Sequence, residues 1–460
     1  MKTFWPTVIL LAVMVSLGAY VYLVELPGER AKTASEVKEK KLVPFEESAI
    51  TAFTVKSPGG EVTLTRTQPR VWAVTSPVQT EADLREVESL IRALVLGKVT
   101  RVVEEKAATL GPFGLESPPA VIALTAGSQT ETLSLGDSGP LSSTLYAMRE
   151  SDRQVLLTDL AAKDVFNKTL LTFRRKELLG FDRERVVRIH LLTPKSEVTL
   201  ERKDDKEKSP WSLIFPVETR ADQGEARLLL SQLEDLKAMG FIDPGPEHQS
   251  ISATLTRPVA KIIVEDAAGE RTVRLFQPDP ASGEAFAVTT PEGPIARINP
   301  GFVKDISKDL FAFLDKRLLG AEMDDISMLK IKTREEQYML AKRSGLWLIE
   351  DAPTARLDQQ KASLFVSRVV DLPAELRVVK AGGPLAPYGL HAPTAEFTAI
   401  GTDGKERGRI RLGNKVGGLV YAVGHGLGGV YQARADILNL VPPRKELIVA
   451  DTPQASAPSP

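Results

Sequence analysis

The chain has no cysteine. That excludes thiol nucleophiles, disulfides, thiolate zinc sites and iron–sulfur clusters, while leaving the compartment open. Histidine is almost as scarce, at His190, His248, His391 and His425. No two of these have metal-ligand spacing, so no metal and no cofactor is expected. Neither sign of charge is in excess, with Lys+Arg 59 against Asp+Glu 60. A balanced chain has no general electrostatic reason to bind nucleic acid. P-loop, nucleophile-elbow and zincin patterns are all missing. One run, Gly424-His425-Gly426-Leu427-Gly428-Gly429, matches the letters of the dinucleotide fingerprint. That fingerprint needs a strand before it and a helix after it. Here strand-like residues lie on both sides, which predicts a hairpin tip.

One long apolar run is present. Residues 3–24 carry no charge, with Lys2 before them and Glu25 after. Such a run reaches about 33 Å as a helix, enough for a bilayer core of about 30 Å. Trp5 lies near one end and Tyr20 and Tyr22 near the other, as interface aromatics do. A cleaved signal peptide would have a shorter apolar region and small residues before its cleavage site. The expectation is an uncleaved single-pass anchor over 1–26, with the N-terminus in the cytoplasm and the bulk outside. A polar stalk over 27–45 and a disordered, Pro/Ala/Ser-rich tail over 450–460 complete the ends.

Outside this run only three tryptophans occur: Trp72, Trp211 and Trp347, spaced by 139 and 136 residues. Each is followed eleven residues later by an aspartate: Asp83, Asp222 and Asp358. Apolar residues recur 15, 18, 19 and 22 positions after each Trp, which traces one helix face. Phe113-Gly114-Leu115 and Tyr388-Gly389-Leu390 share an offset, and the middle stretch lacks this motif. Arg175-Lys176 precedes Leu178-Leu179-Gly180, and Lys316-Arg317 precedes Leu318-Leu319-Gly320. Agreement at fixed offsets predicts three tandem copies over 46–181, 182–321 and 322–449.

Each copy reads as an alternating strand, a second strand ending at the Trp, and a proline turn into an amphipathic helix. Three more strands and a closing helix follow, the latter over 160–173 in the first copy and 302–314 in the second. The fold class is therefore α+β, with mostly antiparallel sheets behind one transmembrane helix. The aligned aspartates read as helix caps, and Glu86 and Glu225 complete the capping-box spacing. Lys361 breaks that spacing in the third copy. The tryptophans read as core. The mixed-sign run at 203–208 reads as a solvated loop peculiar to the second copy.

Together, the anchor ending in aromatics and Glu25, the Trp-to-Pro turn with its Asp, the aromatic-Gly-Leu and the Arg/Lys-x-Leu-Leu ending resemble an uncharacterised bacterial family, domain of unknown function 4340. The resemblance runs from Lys2 to about Leu447. Members are often encoded beside the permease and extracytoplasmic subunits of gliding-motility-type ABC transporters, and the family brings no catalytic residues. It implies a non-catalytic accessory or scaffold subunit of an ABC-type export or surface-assembly complex in the bacterial inner membrane. Its partners would be the bilayer, the permease and the extracytoplasmic subunits, with no small-molecule substrate. The alternatives are a module that binds an envelope polymer or lipid, and an envelope hydrolase without a recognisable motif.

Overall fold

The computed structural model describes residue 14 and residues 41–449, apart from 142, 162–166, 205–208, 279–281, 380–382 and 426. The run at 3–24, the polar stretch as far as residue 40 and the tail from 450 lie outside the described residues. Among the described residues no helix is long and apolar enough to cross a membrane. The chain divides into two compact units, Met1–Lys176 and Glu177–Pro460.

The first unit is one nine-stranded sheet. Its strands are β1 (Ile50–Ser57), β2 (Gly60–Gln68), β3 (Val71–Ser76), β4 (Thr80–Glu81), β5 (Val99–Glu104), β6 (Ala120–Ala126), β7 (Gln129–Ser138), β8 (Leu145–Arg149) and β9 (Val155–Thr158). They lie in the order β4-β3-β2-β1-β6-β7-β8-β9-β5, and every pairing is antiparallel. Alternation sends Phe53 and Val55 of β1 into the core and leaves Thr54 between them on the other face. Helix Leu84–Leu96 buries Val87, Leu90, Ile91 and Leu94, the face read from the sequence.

The second unit holds two further sheets. The first of these has nine strands in the same order, and the other has eight, lacking only the two-residue edge strand. Their helices, Gln223–Glu234 and Gln359–Val370, bury the matching residues, Leu229, Leu230 and Leu233 in one and Phe365, Val366 and Val369 in the other. The fold is thus α+β, built from three antiparallel sheets of one strand order.

Several local expectations fail for physical reasons. The tryptophans begin or nearly begin a third strand instead of ending the second. In the outer copies a tight turn falls just before the Trp, with Arg70 at φ 62 and Ser344 at φ 53. Five strands follow the helix, not three; one of them, the edge strand β5, is mostly exposed and lacks alternation. The second closing helix is broken, with Pro300–Ile306 and Leu310–Phe313 in its place. At the end of the first copy Leu170–Phe173 is helical, and residues 162–166 of the expected helix lie outside the described residues. Asp309 caps a fresh helix start in the second copy, which competes with a continuous helix.

The polar stretch read as ending at residue 45 also departs from expectation, because Leu42, Val43 and Phe45 are buried in the first core. They form a strap seen three times. Lys41 bridges to Lys98, Glu177 to Lys237, and Arg317 to Pro373. The next residue's N–H then donates to a carbonyl: Leu42 to Gly97 at 3.1 Å, Leu178 to Leu236 at 3.3 Å, Leu318 to Leu372 at 2.9 Å. Each sheet's core therefore begins before the boundaries at 46, 182 and 322.

The third strap is flanked by ions. Arg317 donates to both Glu322 oxygens at 3.0 Å and to Asp315 at 2.7 Å, and Arg220 also pairs with Glu322. The Arg317 hydrogen bonds hold the Glu322 carboxyl down at about 2, from an ordinary 4.5. A folded-state pKa below the unfolded value gives stability that is full above about 4.5 and fades as pH falls towards 2. Acid titration of the thermal midpoint should show this loss in the parent protein. Glu322→Gln should flatten the profile in that window, and an unchanged profile would show that the network does not stabilise the fold.

Candidate functional site

The recurring residues can now be followed to their places. Trp72, Trp211 and Trp347 are 3%, 3% and 4% exposed and sit in the same core clusters as the inner helix faces. Opposite each one, on the neighbouring strand, stands a cation: Arg66, Arg202 and Lys342. These lie 5.0, 5.1 and 5.9 Å from the indole centroid, within cation–π range. Arg66 also donates to the carbonyls of Ser48 and Glu47, and Arg202 to those of Val186, Arg183 and Glu184. The two arginines tie the segment before the first strand onto the Trp. Lys342, without a guanidinium fork, cannot make the same clamp. In the second and third copies a glutamine completes the arrangement. Gln223 and Gln359 each accept from the backbone N–H of the Trp and donate to its backbone carbonyl, at 2.7–2.8 Å.

The aspartates cap the helices. Asp83 accepts from the N–H of Arg85 and Glu86, Asp222 from Gly224 and Glu225, and Asp358 from Lys361. Their own N–H groups donate to the carbonyls of Phe173, Phe313 and Leu447 at 2.7–2.9 Å. The reciprocal half of a capping box is therefore replaced, since that N–H is occupied by the closing segment. Glu86 and Glu225 instead pair with Lys168 at 2.9 Å and Lys308 at 2.5 Å. In the third copy the signs are exchanged: Lys361 pairs with Glu446 at 3.0 Å. That exchange accounts for the lysine that breaks the box spacing. Burial alone would raise the Asp222 carboxyl. The Glu225 N–H and the Lys316 ammonium outweigh it and hold its pKa below the usual value.

Gly114 and Gly389 adopt left-handed φ of 66° and 70°, closing the short helical turns Gly111–Phe113 and Ala386–Tyr388. Each motif aromatic pairs with a strand tyrosine, Phe113 with Tyr146 and Tyr388 with Tyr421. The middle copy substitutes a helix, Pro246–Thr254; its Ile251, and Leu255 just beyond its end, pack with Phe276 and Phe286.

A groove of about 430 Å³ opens beside Trp72. Arg66, Arg70, Glu46, Glu47, Ser48 and Glu88 supply its polar wall. Arg70 reaches Glu88 at 3.8 Å, and Glu47 reaches Arg92 at 3.7 Å. Ser48 is the only hydroxyl in the lining and no histidine is there, so a Ser–His pair cannot form in it. The groove can hold a polar ligand between Arg70 and Glu46, both exposed.

The four histidines belong to the second unit and none lines the groove. His190 contacts Glu197 at 3.2 Å on an outward strand position, and His248 contacts the Gly293 carbonyl at 3.0 Å. His391 and His425 are exposed. No group of metal-ligating side chains occurs among the described residues. The glycine-rich run joins strands Leu419–Gly424 and Val430–Arg434, which pair antiparallel; no helix follows it. Sequence reasoning missed the cations, which depend on strand register, and the glutamines and the Trp72 groove, which depend on how each helix packs beside the Trp strand.

A family model described as a domain of unknown function (DUF4340) matches the chain twice, over residues 72–258 and 211–381. The matches begin at Trp72 and Trp211, one repeat apart, and together span about two thirds of the chain. No curated protein matches the chain.

Proposed function

The chain belongs to the DUF4340 family, and on that premise we propose that it is a non-catalytic, membrane-anchored envelope protein. In this reading it serves as an accessory or scaffold subunit of an ABC-type export or surface-assembly complex. The apolar run at 3–24 is its single anchor in the inner membrane, with the three sheets on the extracytoplasmic side. The observation that carries the reading is the employment of the recurring residues. Each recurring Trp, Asp and Gly is engaged in packing, capping or turning the chain. Repetition here preserves a shape and not a reaction centre.

The groove beside Trp72 favours a second reading, a module that binds an envelope polymer. An extended polar chain fits its mixed charges better than an apolar metabolite does.

The two readings and an enzyme separate in one assay. In a strain lacking the gene, Glu46→Gln, Ser48→Ala and Arg70→Gln should each restore the export or assembly phenotype to near the parental level. Loss from Arg70→Gln and Glu46→Gln together with normal stability would favour the binding module. Loss from Ser48→Ala alone, in a stable protein, would overturn the non-catalytic reading.

A further inference from the structure

The third sheet differs from the others where its strap sits. At one register position, β7 carries Glu131, the second sheet's equivalent strand Arg271, and the third sheet Gly408. A Cβ on Gly408 would lie 2.0 Å from the Leu319 carbonyl oxygen, and one on Gly424 would lie 2.1 Å from that of Leu318. Neither contact is compatible with a side chain. Two glycines therefore cut a notch into which the strap backbone drops, with Leu318 and Leu319 both 0% exposed. The strap is held on its other side as well. Leu318 N–H donates to Leu372, and Ala374 N–H donates to Lys316. Beside it Phe311, from the end of the second copy, stacks on buried Tyr431 of the third at 5.8 Å. The Lys316 ammonium lies 5.7 Å over the same Phe311 ring. The ion network of Arg220, Asp315, Arg317 and Glu322 then pins both ends of the strap.

We infer that residues 317–320 are a latch that locks the second and third sheets into one cooperative body, with Gly408 and Gly424 as its seat. Two sheets that share a core through a seated strap cannot open or melt independently. A partner that grips either sheet thereby moves both, so the two act as a single rigid element in any assembly. This is a property of the fold and stands whatever the partner is.

The test uses the full-length protein in detergent. Gly408→Val and Gly424→Val drive a side chain into the strap, while Gly418→Ala, whose Cβ would meet nothing within 4 Å, is the control. Calorimetry should show one transition for the second and third sheets in the parent and in the control. The valine variants should split it in two and open protease cleavage within residues 315–323. Should a valine variant fail to fold, Leu319→Ala, which leaves the backbone unobstructed, decides by the same criterion. A single transition at the parental midpoint, with the strap still protected, would overturn the latch.

Discussion

Replacing Trp211 by alanine should lower the stability of the second unit by about 3–5 kcal/mol, the range for truncating a large aromatic in a packed core. The indole is 3% exposed and shares a core with Leu229, Leu230 and Leu233 of the helix that follows it. Its removal leaves a cavity and also leaves Arg202 without the ring beneath its guanidinium. Arg202 is itself buried and tied to the carbonyls of Val186, Arg183 and Glu184. It cannot swing into solvent without breaking that clamp. Trp211→Phe keeps a ring and should cost less. Denaturant unfolding of the full-length protein measures both. A loss for the alanine variant under about 1 kcal/mol would mean that the site collapses and that the Trp is not a structural centre.

Gly413→Ala should cost about 1–3 kcal/mol, the usual penalty for forcing extra volume into a packed site. A Cβ there would lie 2.1 Å from the Tyr388 carbonyl oxygen and 3.1 Å from the Gly389 carbonyl carbon. Gly136 faces Phe113 in the same way in the first copy, also at 2.1 Å. The middle copy carries Phe276 at this register position and keeps it buried. It can do so because the Tyr-Gly-Leu type of turn is absent there and helix Pro246–Thr254 stands off enough to admit the ring. The aromatic-Gly-Leu motif and the strand glycine are therefore one device, kept or lost together. The alanine variant should lower the thermal midpoint and weaken the near-ultraviolet dichroism of the Tyr388–Tyr421 pair, whose centroids are 4.8 Å apart. A parental midpoint would show that the turn shifts freely.

The sequence showed what depends on local period. The Trp spacing is a repeat period legible without any contact, and the helix face 15 to 22 residues later and the capping aspartates rest on contacts within one helix or its first turn. What needed register stayed hidden. Arg66 and Trp72 are neighbours only because β2 and β3 pair as they do, and Gly136 acquires meaning only once Phe113 lies over it. The strap at 41–45 was obscured by composition: two lysines precede Leu42 and two glutamates follow Phe45, so three core residues, Leu42, Val43 and Phe45, read as solvated. The second closing helix failed because its apolar spacing continues through Asp309, whose side chain restarts the helix. The Trp72 groove combines residues from three separate segments, and none carries a local signature.

The central claim is that this protein acts by contact, held at the membrane beside a transport complex. Affinity purification of the tagged full-length chain from detergent-solubilised membranes tests it most directly, with the bound proteins identified by mass spectrometry. The account predicts recovery of ABC-type permease and extracytoplasmic subunits with the intact chain, and their loss when residues 1–26 are removed. Recovery of the chain from membranes with no such subunit, while a folded form without residues 1–26 still restores function, would contradict it.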